Sequence, residues 1–239
     1  DPSLSAYIIL TSGSTGEPKG VEITHYNAWN TIESINYMYH VTYRDRAIAV
    51  SALDFDLSVY DIFGLLSVGG SIVLLQEEVR KDSNYWLKNI QKYEVTIWNS
   101  VPILMDMLLI AAEGEKISDL PIRVAMLSGD WINLSIPERL NKVTENCTLV
   151  AMGGATEAAI WSNYFEVKLP LNKEWTSIPY GRPLPNQDYR IVDEDGNDCP
   201  DWVTGELYIG GAGVAKGYSG DKELTEEKFI KDKNIPWYK

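Results

Sequence analysis

A loop rich in glycine and hydroxyl residues, LTSGSTGEPKG, follows the apolar run AYIIL near the start of the chain. Its glycines, Gly13, Gly16 and Gly20, allow positive φ angles and let a ligand approach the main chain. Backbone N–H groups in such a loop bind phosphate oxygens, and the hydroxyl side chains and Lys19 add donors and positive charge. The P-loop of ordinary NTPases differs, because it has glycine before its lysine and Ser or Thr after it. The segment is therefore typical of another kind of phosphate-binding loop, with an ordinary glycine-rich turn as the alternative.

The elements that must position this loop show a regular alternation. Apolar segments rich in β-forming residues alternate with segments of helical spacing. The apolar segments are residues 6–10, 47–53, 71–75, 95–98, 123–127 and 148–152. This order predicts an α/β fold with an open, mostly parallel sheet and helices on both faces. Ligands of such sheets bind at the carboxyl ends of the strands.

From about residue 180 the pattern changes to short strands joined by turns, as in YRIVDEDGNDCP and GELYIGG. We therefore predict a boundary near residues 175–185. The first part, residues 1–178, would be the α/β region that carries the phosphate loop. The second part, residues 179–239, would be a β-rich subdomain.

Composition limits the classes of partner. The 239 residues are 45% hydrophobic, and 21 Lys and Arg face 34 Asp and Glu, for a net charge of -13. This charge disfavours nucleic acids and anionic membranes as partners. No apolar run approaches the ~18 residues of a spanning helix, and the two cysteines, Cys147 and Cys199, have no disulfide or metal-binding spacing. We expect a cytoplasmic protein and, because the first residue is Asp1, a piece of a longer chain.

Four motifs in order connect the chain to a known family. SGSTGEPKG resembles the phosphate-loop signature of the adenylate-forming enzymes, which include acyl-CoA synthetases, luciferases and the adenylation domains of nonribosomal peptide synthetases. FDLSVYDIFG (55–64), GGATE (153–157) and GELYIGGAGVAKGY (205–218) resemble the motifs that follow it in that family. The resemblance implies the N-terminal core of these enzymes, followed by the beginning of a β-barrel-like subdomain.

The resemblance covers nearly the whole chain but only the middle of the longer family domain. A later motif with a ribose-binding Asp and a later catalytic lysine are not among the 239 residues. We therefore expect the fragment alone to be incomplete for catalysis. A non-catalytic binding fragment or scaffold is one alternative, and an acyl or aryl acid ligase of the same superfamily is another.

The implied reaction has two halves. ATP and an amino acid give aminoacyl-AMP and pyrophosphate, and the acyl group then passes to the phosphopantetheine thiol of a carrier protein. ATP, Mg²⁺ and phosphopantetheine are the implied cofactors. A peptidyl carrier protein and neighbouring synthetase domains are the implied partners, and the need for a small accessory protein is left open.

The resemblance also assigns residues to ATP and Mg²⁺. Thr156 and Glu157 are the implied catalytic pair, with Thr156 on the α-phosphate and Glu157 on Mg²⁺. In isolation the two residues are equally typical of a helix cap. Gly153 stands where the common motif has an adenine-stacking tyrosine, and cysteine-specific domains commonly carry this GGATE version. The implied ATP-binding residues are Thr11, Ser12, Gly13, Ser14, Thr15, Gly16, Lys19, Gly153 and Gly154.

Asp56 decides the substrate class. Its carboxylate can pair with an α-ammonium group, which acyl and aryl acids lack, although a helix cap is again the alternative. The implied pocket residues read DLYNMSMIW, close to the cysteine signature DLYNLSLIW, so L-cysteine is predicted, with serine as its competitor. These residues are Asp56, Leu57, Tyr60, Asn99, Met126, Ser128, Met152, Ile160 and Trp161.

Overall fold

The computed structural model describes residues 1–12, 18–232 and 235–239. The chain forms two compact units that alternate along the sequence. Unit 1 comprises Asp1–Ser34, Gly154–Asn163 and Pro183–Lys239, and unit 2 comprises Ile35–Gly153 and Tyr164–Arg182. Sequence alone predicts a single boundary after residue 178 instead, because local patterns do not indicate which distant segments pair.

Strands and helices alternate along most of the chain. The strands are β1 (Ser5–Ser12), β2 (Pro18–Thr24), β3 (Arg46–Ile48), β4 (Ser71–Val73), β5 (Ile97–Ser100), β6 (Val124–Leu127), β7 (Thr148–Gly153), β8 (Asn163–Val167), β9 (Arg182–Pro183), β10 (Gln187–Val192), β11 (Glu206–Gly211), β12 (Gly217–Tyr218), β13 (Phe229–Asp232) and β14 (Ile235–Tyr238). The helices are α1 (His25–Met38), α2 (Leu57–Val59), α3 (Leu65–Ser67), α4 (Ser83–Tyr93), α5 (Pro102–Gly114), α6 (Ile136–Val143) and α7 (Lys222–Lys228). A π-helical turn (Tyr60–Gly64) joins α2 to α3, and 3₁₀ turns lie at Glu77–Val79 and Thr156–Ala158.

Unit 2 is built on a sheet with the strand order β4-β3-β5-β6-β7-β8-β9. The neighbours from β4 to β7 pair in parallel. The strands β5 and β6 are buried along their whole length, as expected for a sheet covered by other elements. The predicted mostly parallel α/β sheet is confirmed.

The helices α4, α5 and α6 pack next to one another and contribute to the main core of unit 2. The helix α4 begins after Asp82, whose carboxylate accepts hydrogen bonds from Asn84 N at 2.9 Å and Tyr85 N at 3.3 Å. In the core, the rings of Trp86 on α4 and Trp98 on β5 are 5.9 Å apart between centroids. This contact fixes α4 against the sheet.

The side chains of β5, β6 and β7 alternate between the two faces of the sheet. Trp98, Ala125 and Ala151 belong to the main core together with residues of α4, α5 and α6. Asn99 and Met126 occupy the opposite face and are neighbours in the β5–β6 register. One face of these strands therefore builds the core, and the other carries residues predicted to contact the amino acid.

Unit 1 contains antiparallel sheets with the orders β1-β2-β12 and β10-β11-β14-β13. A small core forms where Val21 and Ile23 of β2 pack with Ala28, Ala159 and Tyr218. The β-rich character expected for the end of the chain is present. The expected beginning of a barrel takes the form of an open sheet, since no closed barrel forms among residues 1–12, 18–232 and 235–239.

Within the same ranges, none of the helices combines the length and the apolar character needed to cross a bilayer.

Candidate active site

The segment GGATE leaves the end of β7 and leads into a single 3₁₀ turn that carries Thr156 and Glu157. Gly154 has φ +144°, and a Cβ at this position would lie 2.7 Å from Ser162 N. A side chain is therefore excluded there. The turn is closed by hydrogen bonds from Ala158 N to Ala155 O at 2.8 Å and from Ala159 N to Thr156 O at 3.2 Å.

Glu157 is 8% exposed, and its carboxylate accepts a hydrogen bond from an aromatic hydroxyl group. The Tyr218 hydroxyl donates to Glu157 Oε1 at 2.7 Å. Burial raises the pKa of Tyr218 above its ordinary value, and the hydrogen bond and charge of Glu157 add to the rise. Burial followed by the charge of Glu157 raises the pKa of Tyr238 to about 12. Both tyrosines therefore stay protonated near neutral pH.

Lys19 joins this cluster through the ring of Tyr218, whose centroid lies 5.6 Å from Lys19 Nζ. The backbone of the GELYIGGAGVAKGY motif also contacts the turn that carries Glu157, because Ala215 N donates a hydrogen bond to Glu157 O at 2.8 Å. Sequence reasoning assigns no role to Tyr218 itself. Its position as the last residue of the motif was the signal that could have found it.

The predicted phosphate loop connects the hairpin strands β1 and β2. Thr11 faces Lys19 across this hairpin. Gly13, Ser14, Thr15 and Gly16, together with the side chain of Ser12, lie outside the part of the chain that the structure describes. Their assignment to phosphate binding stays a prediction.

The chemistry of Glu157 fits Mg²⁺. A Mg²⁺ ion in an ATP site is usually held by one or two carboxylates plus substrate phosphates and water, rather than by a cage of protein ligands. Glu157 could supply one such carboxylate, and within the described ranges no group of three or more His, Cys, Asp or Glu residues forms a separate metal site. Lys19 lies in the same cluster and fits the negative charge of phosphate groups.

The turn that carries Ile160 and Trp161 has an unusual backbone. Ala159 and Ile160 have φ angles of 56° and 73°, and Trp161 N donates to Ala159 O at 3.0 Å, which places Ile160 at the centre of a γ-turn. A β-branched residue is strained in this region, at a cost of about 1–3 kcal/mol. Thr31 Oγ1 donates to Ala159 O at 2.9 Å, and Gln187 Nε2 donates to Trp161 O at 3.1 Å. These bonds hold the two predicted pocket residues in place in unit 1.

Most of the predicted amino-acid pocket belongs to unit 2. Asp56 is 4% exposed at the start of α2, and its side chain makes no capping hydrogen bond to this described helix. The pairing of Asp56 with a substrate α-ammonium group stays a prediction. Tyr60 is fixed by its hydroxyl, which donates to Asn36 Oδ1 at 3.0 Å, while Asn36 Nδ2 donates to Gly64 O at 2.9 Å.

Asn99 connects β5 to the helical segment. Its Nδ2 donates to Leu57 O at 3.1 Å and to Asp61 Oδ1 at 2.9 Å. Ser128 follows β6, where its N donates to Ser100 O at 3.2 Å. The predicted pocket residues Leu57, Asn99, Met126, Ser128 and Met152 are all buried in unit 2. The structure thus brings Leu57, Asn99 and Met126 together at the carboxyl ends of the strands, where sequence places a ligand.

Asp61 was not among the sequence candidates. It is 1% exposed, and burial raises its pKa to about 8 although the hydrogen bond from Asn99 acts in the opposite direction. Its position directly after Tyr60, a predicted pocket residue, was the available signal.

The fold and these residues define the core of an adenylate-forming enzyme. The family described as AMP-binding enzyme matches residues 1–219, so the chain belongs to this family. Within it, the chain is an AMP-binding domain of the kind found in nonribosomal peptide synthetase adenylation enzymes.

Similar proteins support this assignment. Over its whole length the chain is 55% identical to the anguibactin system regulator of Vibrio anguillarum and 49% identical to pyochelin synthetase PchE of Pseudomonas aeruginosa. It spans 23% and 16% of the length of these proteins. The nonribosomal peptide synthetase FmoA3 superposes with a TM-score of 0.93 at 38% identity, over 99% of this chain and 25% of that one. Structures of FmoA3 also exist with AMPPNP and with α-methyl-L-serine-AMP.

Proposed function

We propose that the chain is the central part of an adenylation domain that activates L-cysteine. A carboxylate oxygen of cysteine attacks the α-phosphorus of ATP, the bond to the bridging oxygen breaks, and pyrophosphate leaves. The phosphopantetheine thiol of a carrier protein then attacks the carbonyl carbon of cysteinyl-AMP, and AMP leaves as the thioester forms. The observation that carries the proposal is the burial of Asp56 and Asn99 in one unit, at the positions of the cysteine signature.

On the nucleotide side, the chain contributes positioning and charge rather than a nucleophile, as phosphoryl chemistry of this kind requires. Glu157 would hold Mg²⁺, which neutralises phosphate charge when bound. Lys19 would bind phosphate oxygens. Thr156 begins the same turn as Glu157 and would donate to the α-phosphate. The FmoA3 structures with AMPPNP and an acyl-AMP support nucleotide binding by this fold.

On the amino-acid side, Asp56 would pair with the α-ammonium group through charge-assisted hydrogen bonds. The thioethers of Met126 and Met152 would contact the substrate side chain, where polarizable sulfur is well suited to a thiol. Asn99 and Ser128 would supply the oriented polar groups that a mostly apolar pocket uses for discrimination. Serine is the expected competitor because it differs from cysteine at a single atom, and a pocket can discriminate between them only by the size and polarizability of that atom.

The test is amino-acid-dependent exchange of labelled pyrophosphate into ATP by the full-length enzyme, with all twenty amino acids and 3-mercaptopropionate. This last compound has the thiol and carboxylate of cysteine but no amine. A profile dominated by cysteine supports the proposal. Exchange with 3-mercaptopropionate or an aryl acid, without exchange with any amino acid, would replace it by an acid ligase of the same superfamily.

A further inference from the structure

The carboxamide of Asn99 is fixed in one orientation. Its two N–H groups are both used, one by Leu57 O at 3.1 Å and the other by Asp61 Oδ1 at 2.9 Å. Rotating the amide by half a turn would direct its oxygen at the carbonyl oxygen of Leu57, which is repulsive, so the hydrogen-bond network assigns the nitrogen and the oxygen. Leu57 O belongs to the backbone, whereas Asp61 supplies its acceptor by a side chain that substitution can remove.

Two oxygen atoms of this cluster have no partner. Asn99 Oδ1 and Asp61 Oδ2 are fully buried and form no hydrogen bond with any residue that the structure describes. A buried acceptor without a donor costs about 1–3 kcal/mol, and native proteins leave few of them. Because Asn99 lies at the carboxyl end of β5, a bound molecule with a hydrogen-bond donor would satisfy its oxygen.

We propose that Asp61 is a positioning residue that turns Asn99 Oδ1 toward the substrate side chain, where it accepts a hydrogen bond from a small S–H or O–H donor. The site would then select amino acids with such a donor over apolar isosteres of the same size. This inference rests on the proposed adenylation function and names what the pocket recognises in the side chain.

The local backbone explains how Asp61 reaches Asn99. The π-helical turn Tyr60–Gly64 contains Asp61, and π-turns inside helices often mark functional sites. Gly64 lies beneath the ring of Tyr60, where a Cβ would be 2.7 Å from the ring carbon Cε2. Because burial raises the pKa of Asp61 to about 8, the neutral acid predominates at pH 7 and needs no buried counter-charge, while Oδ1 remains an acceptor.

The test compares kcat/KM for L-cysteine with kcat/KM for L-2-aminobutyrate, in which a methyl group replaces the thiol. Pyrophosphate exchange is measured with the full-length enzyme. The ratio of the two constants does not depend on the folded fraction, so it separates positioning from simple loss of protein. Asp61→Leu removes the acceptor, and Asp61→Ala removes it without crowding. We expect a fall of about tenfold in the ratio for both, from the loss of one oriented hydrogen bond.

Two control variants complete the set. Asp61→Asn keeps an acceptor for Asn99 and should hold the ratio within about twofold of the wild type, as rescue by a conservative change requires. Asp45→Asn alters another buried carboxylate of unit 2, which binds Arg123 at 2.8 Å and whose described side-chain hydrogen bonds go to Thr42, Thr96 and Arg123. Asp45→Asn should lower stability and leave the ratio unchanged.

The outcomes separate this inference from the proposed function. An unchanged ratio in Asp61→Leu and Asp61→Ala, with a wild type that prefers cysteine, overturns the inference and leaves the cysteine assignment standing. Equal use of 2-aminobutyrate and cysteine by the wild type also overturns the inference. Activation of serine instead of cysteine overturns the cysteine assignment alone. The variants are then compared by the ratio of kcat/KM for serine to kcat/KM for 2-aminobutyrate. Failure to activate any amino acid overturns both.

Discussion

The two units treat a buried carboxylate in different ways. In unit 1, Glu157 accepts a hydrogen bond from Tyr218, and Lys19 lies over the ring of that tyrosine. In unit 2, the described partner of Asp61 is one amide N–H of Asn99, and burial dominates its pKa. In the proposed function, the carboxylate of unit 1 would bind Mg²⁺. Burial favours the neutral acid for the carboxylate of unit 2, which would orient the amide of Asn99. We therefore expect substitutions of the two carboxylates to affect different properties, nucleotide binding in unit 1 and side-chain selection in unit 2.

The largest expected effect is that of a substitution at Glu157, the carboxylate of unit 1 that is proposed to bind Mg²⁺. Glu157→Gln keeps the acceptor for Tyr218 but removes the negative charge, so we expect pyrophosphate exchange to fall at least about 100-fold and to require more Mg²⁺. Tyr218→Phe is the matched control, because it removes the donor and keeps the charge, and its effect should be nearer tenfold. Activity of Glu157→Gln within twofold of the wild type would show that Glu157 only shapes its turn.

Asp56→Asn tests whether a carboxylate of unit 2 binds the substrate through its negative charge. Loss of a charge-assisted pair with the α-ammonium group should lower kcat/KM for cysteine by about 10- to 100-fold, mainly through KM. Inhibition by 3-mercaptopropionate, which has no amine, should change little. A drop in unfolding free energy of about 1 kcal/mol with unchanged kinetics would instead indicate a helix cap.

The pH dependence of stability tests whether Asp61 is neutral in the folded state. The folded pKa of Asp61 is about 8, above the ordinary value of about 4, so the folded state keeps its proton where the unfolded state has lost it. The stability contributed by Asp61 therefore falls as pH rises from about 4 to about 8. Asp61→Asn does not titrate, and its unfolding free energy relative to the wild type should increase by about 1.4 kcal/mol for each pH unit in this window.

Asp45, in the same unit, has a pKa that is shifted in the opposite direction from that of Asp61. Burial acts to raise its pKa, but hydrogen bonds from Arg123, Thr42 N and Thr96 hold it below the usual value. The wild type should therefore be more stable than Asp45→Asn above about pH 4, and this advantage should shrink as pH falls further. Parallel pH profiles for the two variants, measured by thermal unfolding, would contradict the distinction between the two carboxylates.

The smallest effect concerns the strained turn of unit 1. Thr31→Val removes the hydroxyl that donates to Ala159 O and keeps the shape of the side chain. We expect a loss of about 1 kcal/mol in unfolding free energy, and Thr31→Ser, which keeps the hydroxyl, should restore most of it. Equal stability of the valine and serine variants would mean that the γ-turn at Ile160 does not need this bond.

Sequence predicted the parallel part of the fold because β3 to β7 are short apolar segments separated by helical ones, a pattern written locally. It also gave an apolar β-forming segment, residues 148–152, directly before GGATE. The pairing of β2 with β12 was not predicted, because the two strands are far apart in the chain and the local pattern of one does not indicate that the other is its partner. Asp61 and Tyr218 were missed for a similar reason, because their roles arise from contacts with Asn99 and Glu157 that form only on folding.

The alternation of side chains along β5, β6 and β7 bears on how such a domain changes over evolution. Trp98, Ala125 and Ala151 hold the core, while Asn99, Met126 and Met152 alternate with them along the same three strands. We expect a substitution in the second set to leave the packing of the first largely intact. If the second set contacts the substrate, as proposed, substrate preference and folding are separable traits on shared strands, and a lineage can acquire a new substrate without first rebuilding its core.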